Sequence, residues 1–405
     1  MLKLVLGASG SGKTTLLYAR IRARAEAGKR SILLVPEQFT SSTEARIYRE
    51  LGDALSGMVE SYSFTSLAEH ILAVEGGAAV QTLTDAGRAV LVRRALEELQ
   101  DNVHYYYRHR RSAAFCQMAA ETIDELKSAG LSGQQLQELA RDCGTESAKL
   151  GELALIFQGY ESLLAGTGMD PADRLELAAD RLEAALARDE LPDFLREREV
   201  FIDEFDTFNA PKKRLMGAML AALPAVTVAL CEDGAPMQPG DLELFSGAKQ
   251  VAAQLRQLAR KNGAQVAAPE LLRRDLRHKD APGLAALTEL LETGSCTPPE
   301  SAPELRLFAA ASREEEARCA AAAIRRLMRQ GVRCGKIAVV CRDISLYRAA
   351  VRYEFRMAEI PLYCDEPTTP EFSAPATAVR ALLALLRGAD MTEQLTVLAK
   401  TGLCA

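Results

Sequence analysis

"LVLGASGSGKTTLL", Leu4 to Leu17, decides how the rest of the chain is read. Leu2 to Leu6 is apolar, short and stopped by glycine, as a buried strand is. Lys13 to Ala27 has the composition of a helix, and Gly28 suits the residue just past a helix end. Between them, Gly7-Ala8-Ser9-Gly10-Ser11-Gly12-Lys13-Thr14 fits G-x-x-x-x-G-K-[ST] without departure. Each part has a physical reason. The glycines let the backbone curl until several N–H groups face one anion, and the helix adds its positive N-terminal end. Lys13 is placed for the β- and γ-phosphates and the Thr14 hydroxyl for Mg²⁺. The alternative is a glycine-rich turn with no ligand. A strand before and a helix after favour the phosphate-binding loop, and with it a nucleoside triphosphate such as ATP.

Working outward, "SILLVPEQ" (Ser31 to Gln38) reads as a second buried strand. Strand, glycine turn, helix and strand make a βαβ unit and predict a parallel sheet. A phosphate loop needs a carboxylate at the end of a neighbouring strand. "REVFIDEF" (Arg198 to Phe205) supplies Asp203 and Glu204 after the apolar Val200, Phe201 and Ile202. Asp203 is expected to hold Mg²⁺ directly or through water, and Glu204 to orient and deprotonate the attacking water. Alone, the pair is also what an ordinary acidic loop looks like. Beside the glycine loop it gains weight, because ligands in open parallel sheets gather at the carboxyl ends of strands.

Helix and strand alternate again after Asp203: "APKKRLMGAMLAAL" as helix, "AVTVALCED" (Ala225 to Asp233) as strand, then helices near Gly247 to Lys261 and Gly283 to Glu292. The stretch from about Ser66 to Arg198 is different, rich in Ala, Leu, Glu and Arg and nearly free of strand signals. Helix starts are expected at Thr84-Asp85, Ser132 and Asp170-Pro171. The reading is an α/β protein: a first parallel-sheet domain over residues 1–66 plus 198–292, a helical insertion over 67–197, and a linker over 293–303. A further α/β unit follows over 304–405, with strands at "LRLFAA", "IAVVCRD" and "IPLYCDE".

Composition narrows the class. The chain has 405 residues, 48% hydrophobic and 26% charged, with a formal charge of −6. That excludes a protein coated in basic charge but not a local groove for nucleic acid. Nine cysteines are scattered without a C-x-x-C pair, which suggests neither a zinc site nor a disulfide framework. No membrane span and no signal peptide are expected, so the location reads as cytoplasmic.

The quoted residues, with "VPEQFTSSTEARIYREL", "SFTSLAEHIL", "VFIDEFDTFNAPKKRLM" and "VVCRDISLYRAAVRYEFRMAEIPLYCDEP", resemble superfamily 1 helicases of the UvrD type. More closely they resemble the AddB family, one of the two chains of bacterial AddAB helicase–nucleases. The resemblance spans the whole chain. It implies a P-loop, RecA-like first domain interrupted by a helical domain, and the start of a second RecA-like domain. It implies ATP and Mg²⁺ as cofactors and single- and double-stranded DNA as partners. It also implies an AddA-like helicase–nuclease subunit in a heterodimer, with a role in double-strand break repair by homologous recombination. A nuclease domain and iron–sulfur cluster would lie in a C-terminal region that this sequence does not contain. Gly12, Lys13 and Thr14 match the first helicase motif and Asp203-Glu204 the second. Arg342 matches an arginine that reaches the γ-phosphate in active relatives; an ordinary arginine at a strand end is the alternative. "VALCEDGAP" departs from the Gly-Asp-x-x-Gln pattern of the third motif, and only six residues precede Gly7. The missing third-motif glutamine favours a DNA-scanning scaffold over the main motor, with an ATP-hydrolysing translocase as the rival.

Three segments are DNA candidates. Thr40 to Thr43 and Ser63 to Ser66 carry hydroxyls that either bind phosphates or cap helices. "HYYYRHRR" (His104 to Arg111) interleaves tyrosines with Arg108, Arg110 and Arg111, for base stacking and phosphate contact or for packing at a solvated helix end.

Overall fold

The computed structural model describes residues 1–77, 81–236, 244–364 and 373–403. Residue contacts divide the chain into a first unit, Met1–Glu304, and a second, Leu305–Ala405. In the first unit β1 (Leu2–Gly7) leads to α1 (Lys13–Glu26), β2 (Ser31–Leu34), α2 (Thr40–Leu51), the short α3 (Asp53–Ser56), β3 (Val59–Tyr62) and α4 (Phe64–Glu75). Four helices without strands follow: α5 (Asp85–Glu98), α6 (Ala113–Ser128), α7 (Gly133–Ala140) and α8 (Ser147–Leu164). Then come α9 (Pro171–Ala187), β4 (Glu199–Ile202), α10 (Ala210–Ala222), β5 (Ala225–Cys231), α11 (Ser246–Lys261), β6 (Glu270–Leu272) and α12 (Pro282–Thr293).

The six strands form one sheet in the order β3-β2-β4-β5-β1-β6, and every pairing is parallel. Parallel strands are buried on both faces and read as continuous apolar runs. β2 and β4 show this, with all four residues of each buried. Leu4, Ile32, Val200 and Val228 join α4, α9, α10 and α11 in one core. Val5, Leu33, Phe201 and Ala229 meet α1 and α2 in the core on the other face. β6 is a three-residue edge strand beyond β1 that sequence reading did not locate.

The strandless segment divides by packing. α4 and α9 belong to the sheet's own core, whereas α5, α6, α7 and α8 build a separate core around Phe157 and Tyr160. The capping chemistry is as read. Thr84, Ser132 and Asp170 are the N-cap residues of α5, α7 and α9, and Pro171 sits in the first turn of α9. Asp170 is buried and accepts hydrogen bonds from Tyr160 Oη (2.7 Å) and Lys127 Nζ (2.9 Å), tying three helices together.

The second unit contains α13 (Arg313–Arg329), α14 (Ile344–Met357), α15 (Ala374–Leu386) and α16 (Met391–Lys400). The expected strands at "LRLFAA" and "IAVVCRD" are absent, and so is the described part of "IPLYCDE", Ile360 to Cys364; Asp365 and Glu366 lie outside the described residues. The correction has a physical cause. A strand exists through its partner's hydrogen bonds, and a parallel sheet needs cover on both faces. Leu307, Val340 and Tyr363 stand nearly fully exposed, and the core of α13 and α14 draws only Ile337 and Ile360 from these segments.

Candidate functional site at the carboxyl end of the sheet

β5 lies between β1 and β4. The chain leaving β1 and the chain leaving β4 are therefore two strand spacings apart, about 9–10 Å. A cleft of about 460 Å³ opens there, with Ser9, Gly10, Gly12, Lys13 and Thr14 on one wall and Asp203 and Glu204 on another. Cys231, at the end of β5, also lines it.

The glycine loop is built as its sequence requires. Gly10 and Gly12 have φ of +84° and +91°, a region that side-chain-bearing residues avoid. Gly12 is the N-cap of α1, so the helix starts at Lys13 with its N-terminus toward the cleft. Lys13 Nζ donates to the carbonyls of Gly7 (2.7 Å) and Ala8 (2.9 Å), folding the ammonium over the loop. Burial lowers its pKa, the charges of Cys231 and Asp203 oppose that, and Arg277 adds to the lowering. Ser11 is turned inward; its buried Oγ has no hydrogen-bond partner, and its N–H donates to Ala8 O. A Cβ on Gly7 would run into that hydroxyl and into the Leu272 carbonyl, so glycine is the fit there.

Asp203 is only 5% exposed. Burial pushes its carboxyl above the usual range, against the lowering influence of the Thr14 hydroxyl, a hydrogen bond from the Glu204 N–H and the charges of Lys13 and Arg46. Glu204 has φ of +65°, a backbone state that costs a non-glycine residue on the order of 1 kcal/mol. Its carboxyl is also raised, by desolvation at the cleft wall and then by the Asp203 charge, with Arg46 opposing.

Mg²⁺ suits this donor set. It prefers hard oxygen ligands and keeps several waters, and the Thr14 hydroxyl and the Asp203 carboxylate line the same cleft. Among the described residues no group of three His, Cys, Asp or Glu side chains could hold a metal on its own. An ion here would therefore draw its remaining ligands from phosphate and water.

Two further cations line the cleft, and sequence reading named neither. Arg277 arrives on the segment after β6. Leu276 N–H donates to Gly10 O (3.0 Å), and Arg277 Nη1 donates to Ser9 Oγ (3.2 Å). Asp275 shapes that turn by accepting from the N–H groups of Arg277 and His278. Arg46, on α2, is the other. The run "RRDLRH" carries no motif, and only the pairing of β6 with β1 brings it to the glycine loop. Arg342 belongs to the second unit, where it is exposed two residues before α14.

A family profile described as "ADDB, N-terminal" matches residues 4–288, which contain the whole of this site. The chain belongs to the AddB family. Curated AddB relatives are named as the B chain of an ATP-dependent helicase/deoxyribonuclease. The protein of Moorella thermoacetica is 33% identical over 379 residues, covering 90% of this chain and 32% of the relative. That of Desulforudis audaxviator is 34% identical over 381 residues, with 90% and 32% covered. That of Symbiobacterium thermophilum is 32% identical over 404 residues, with 94% and 34% covered. The chain thus spans about a third of the length of these AddB relatives.

The DNA candidates are placed less suggestively. Ser63 caps α4 in a reciprocal pair with Ser66. Thr40 and Ser42 hydroxyls donate to the carbonyls of Glu37 and Phe39, and Thr43 is buried. The hydroxyls of Thr40, Ser42, Ser63 and Ser66 are thus occupied locally. In "HYYYRHRR", Glu152 accepts from the N–H groups of His104, Tyr105 and Tyr106. Tyr106 and Tyr107 pack on the helical core, and Arg110 stacks on Tyr107 at 3.8 Å. Tyr105, Arg108 and Arg111 are exposed. No helix among the described residues is long and apolar enough to cross a membrane.

Proposed function

We propose that this chain is the nucleotide- and DNA-binding, helicase-like region of an AddB protein. It would work beside an AddA-like partner on single- and double-stranded DNA during double-strand break repair by recombination. The observation that carries the nucleotide reading is that one cleft is lined by the glycine loop with Lys13 and Thr14 at the start of α1 and, on its other wall, by Asp203 and Glu204. Gly7 to Thr14 would wrap the phosphates, Thr14 and Asp203 would hold Mg²⁺, and the sheet would be the core of a RecA-like P-loop domain. The bound ion would supply charge neutralisation on the phosphates.

Arg277 is the arginine that the fold brings to the loop, and we assign it a phosphate contact. Arg342 is retained as the second unit's candidate for the same charge, and the second unit as the beginning of another RecA-like domain.

Within this function we favour a DNA-scanning scaffold over the main motor, because Cys231-Glu232-Asp233 stands where a motor would carry Gly-Asp-x-x-Gln. One observation supports the motor. Glu204 is held at positive φ beside Asp203 and lines the cleft, as a base for water would. DNA-stimulated ATP turnover by the full-length protein, with and without its AddA-like partner, tests the choice. Turnover by the full-length protein alone that Glu204→Gln abolishes, with ATP binding retained, makes it a motor. Background turnover in both proteins leaves the scaffold.

A further inference from the structure

Three cations line the cleft, and two of them are engaged: Lys13 by the Gly7 and Ala8 carbonyls, and Arg277 by Ser9. Arg46 differs. Its guanidinium lies over the Tyr18 ring, 4.8 Å from the centroid, and it makes no hydrogen bond or ion pair among the described residues. Tyr18 is itself buried, with its hydroxyl pushed up to about 12 by that burial. The guanidinium is thus held by a ring face, with its N–H donors uncommitted.

Its position is also particular. A second space of about 220 Å³ adjoins the cleft at the acidic pair. Thr14, Arg46, Asp203 and Glu204 line both spaces and form the boundary between them. Arg46 therefore stands where the cleft ends at the acidic pair.

We propose that Arg46 reads the terminal phosphate, so that the cleft distinguishes a nucleoside triphosphate from a diphosphate. This rests on the nucleotide reading above. Loop N–H groups and the α1 N-terminus hold the inner phosphates. The outermost phosphoryl comes next to the carboxylates that serve metal and water. A planar guanidinium with free donors matches its oxygens, and a diphosphate does not extend that far. Because Arg46 is on α2 and Tyr18 on α1, this contact would also tie α2 to the helix that carries the phosphate loop.

Equilibrium binding of Mg²⁺ with ADP and with a non-hydrolysable ATP analogue, on the full-length protein, tests the assignment. Arg46→Gln is expected to weaken the analogue about tenfold or more, the worth of a charge-assisted hydrogen bond. ADP affinity should stay within about twofold, the size of a perturbation without a lost contact. Arg46→Lys keeps the charge without the fork and should weaken the analogue less, with ADP again unmoved. That variant also provides the reading should Arg46→Gln fold poorly. Lys13→Ala should weaken both ligands. Equal losses of ADP and analogue in the Arg46 variants, or no loss of either, overturn the proposal while leaving the nucleotide site standing. A wild-type protein that binds neither ligand removes the nucleotide reading and this inference together.

Discussion

Two carboxylates flank the run of strand β4, Glu199 as its first residue and Asp203 just past its last, and the fold treats the two in opposite ways. At its start, Glu199 accepts from Lys3 Nζ (2.8 Å) and Thr227 Oγ1 (2.8 Å), and Arg24 pairs with its other oxygen at 3.3 Å. Burial pushes this carboxyl up, but the hydrogen bonds from Lys3 and Thr227 and the nearby positive charges outweigh it and hold the group below its ordinary value. At the other end, Asp203 is just as buried, has no ion pair among the described residues, and is held above its ordinary value. The same strand thus has a carboxylate paired into the sheet at its start and, just past its end, one that is buried without an ion pair among the described residues. Unpaired charge, lowered Lys13 and the backbone strain at Glu204 all collect at the second end, which is where functional sites concentrate perturbed groups.

The largest effect should come from breaking the paired end. Glu199→Ala leaves Lys3 and Arg24 without their partner and should destabilise the protein by about 3 kcal/mol in urea unfolding. Nucleotide affinity should be unchanged, because the residue lies at the opposite end of the sheet. The same group gives a pH signature. Its folded pKa is lowered, so its contribution is fully present above the ordinary 4.5 and is lost as pH falls through the folded value. Wild-type stability should therefore drop faster below pH 4.5 than that of Glu199→Gln.

The waiting end should behave in reverse. Asp203→Asn removes a charge that the fold desolvates without pairing, and should raise stability by about 1 kcal/mol while abolishing Mg²⁺-dependent nucleotide binding. The sign follows from the raised folded pKa: the folded state binds the proton more tightly, so the charged carboxylate costs stability above the ordinary 3.8. The gain should vanish in acid, where both folded and unfolded chains are protonated. A clear loss of stability in Asp203→Asn at neutral pH would put Asp203 in the same structural class as Glu199.

The smallest effect is expected far from both ends. Replacing Arg108, Arg110 and Arg111 together should lower stability by less than about 1 kcal/mol, the worth of the Arg110–Tyr107 stacking, since Arg108 and Arg111 are exposed. If this segment holds DNA, single-stranded affinity should fall and its salt dependence flatten by at most about three phosphates' worth. Parallel salt lines of equal affinity would assign the segment to packing alone, in keeping with Glu152, Tyr106 and Tyr107.

What the sequence revealed was the local chemistry. Gly7 to Thr14 states its own conformation, the apolar runs of β1, β2, β4 and β5 state theirs, and Thr84, Ser132 and Asp170 announce their helices. What it hid was set by distant pairing. β6 is three residues long, and its place follows only from β1; with it goes Arg277, whose side chain meets Ser9 across 268 positions. Arg46 belongs to no motif, and its place beside Tyr18 and the acidic pair is set by how α2 packs. Nothing in "VFIDEF" signals the positive φ of Glu204. In the second unit the apolar runs resembled strands, but pairing is a property of neighbours, and Leu307 and Val340 have none to cover them.

Whether the carboxyl end of the sheet is a nucleotide site is decided by equilibrium titration of Mg-ATP into the wild-type protein and Lys13→Ala. Lys13 lies on the cleft wall and makes no ion pair among the described residues, so its loss should leave the melting temperature nearly unchanged. The wild type should bind saturably and the folded variant should lose at least about a hundredfold in affinity, as when a principal phosphate contact is removed. Equal ATP affinity in the two folded proteins would contradict a nucleotide site there.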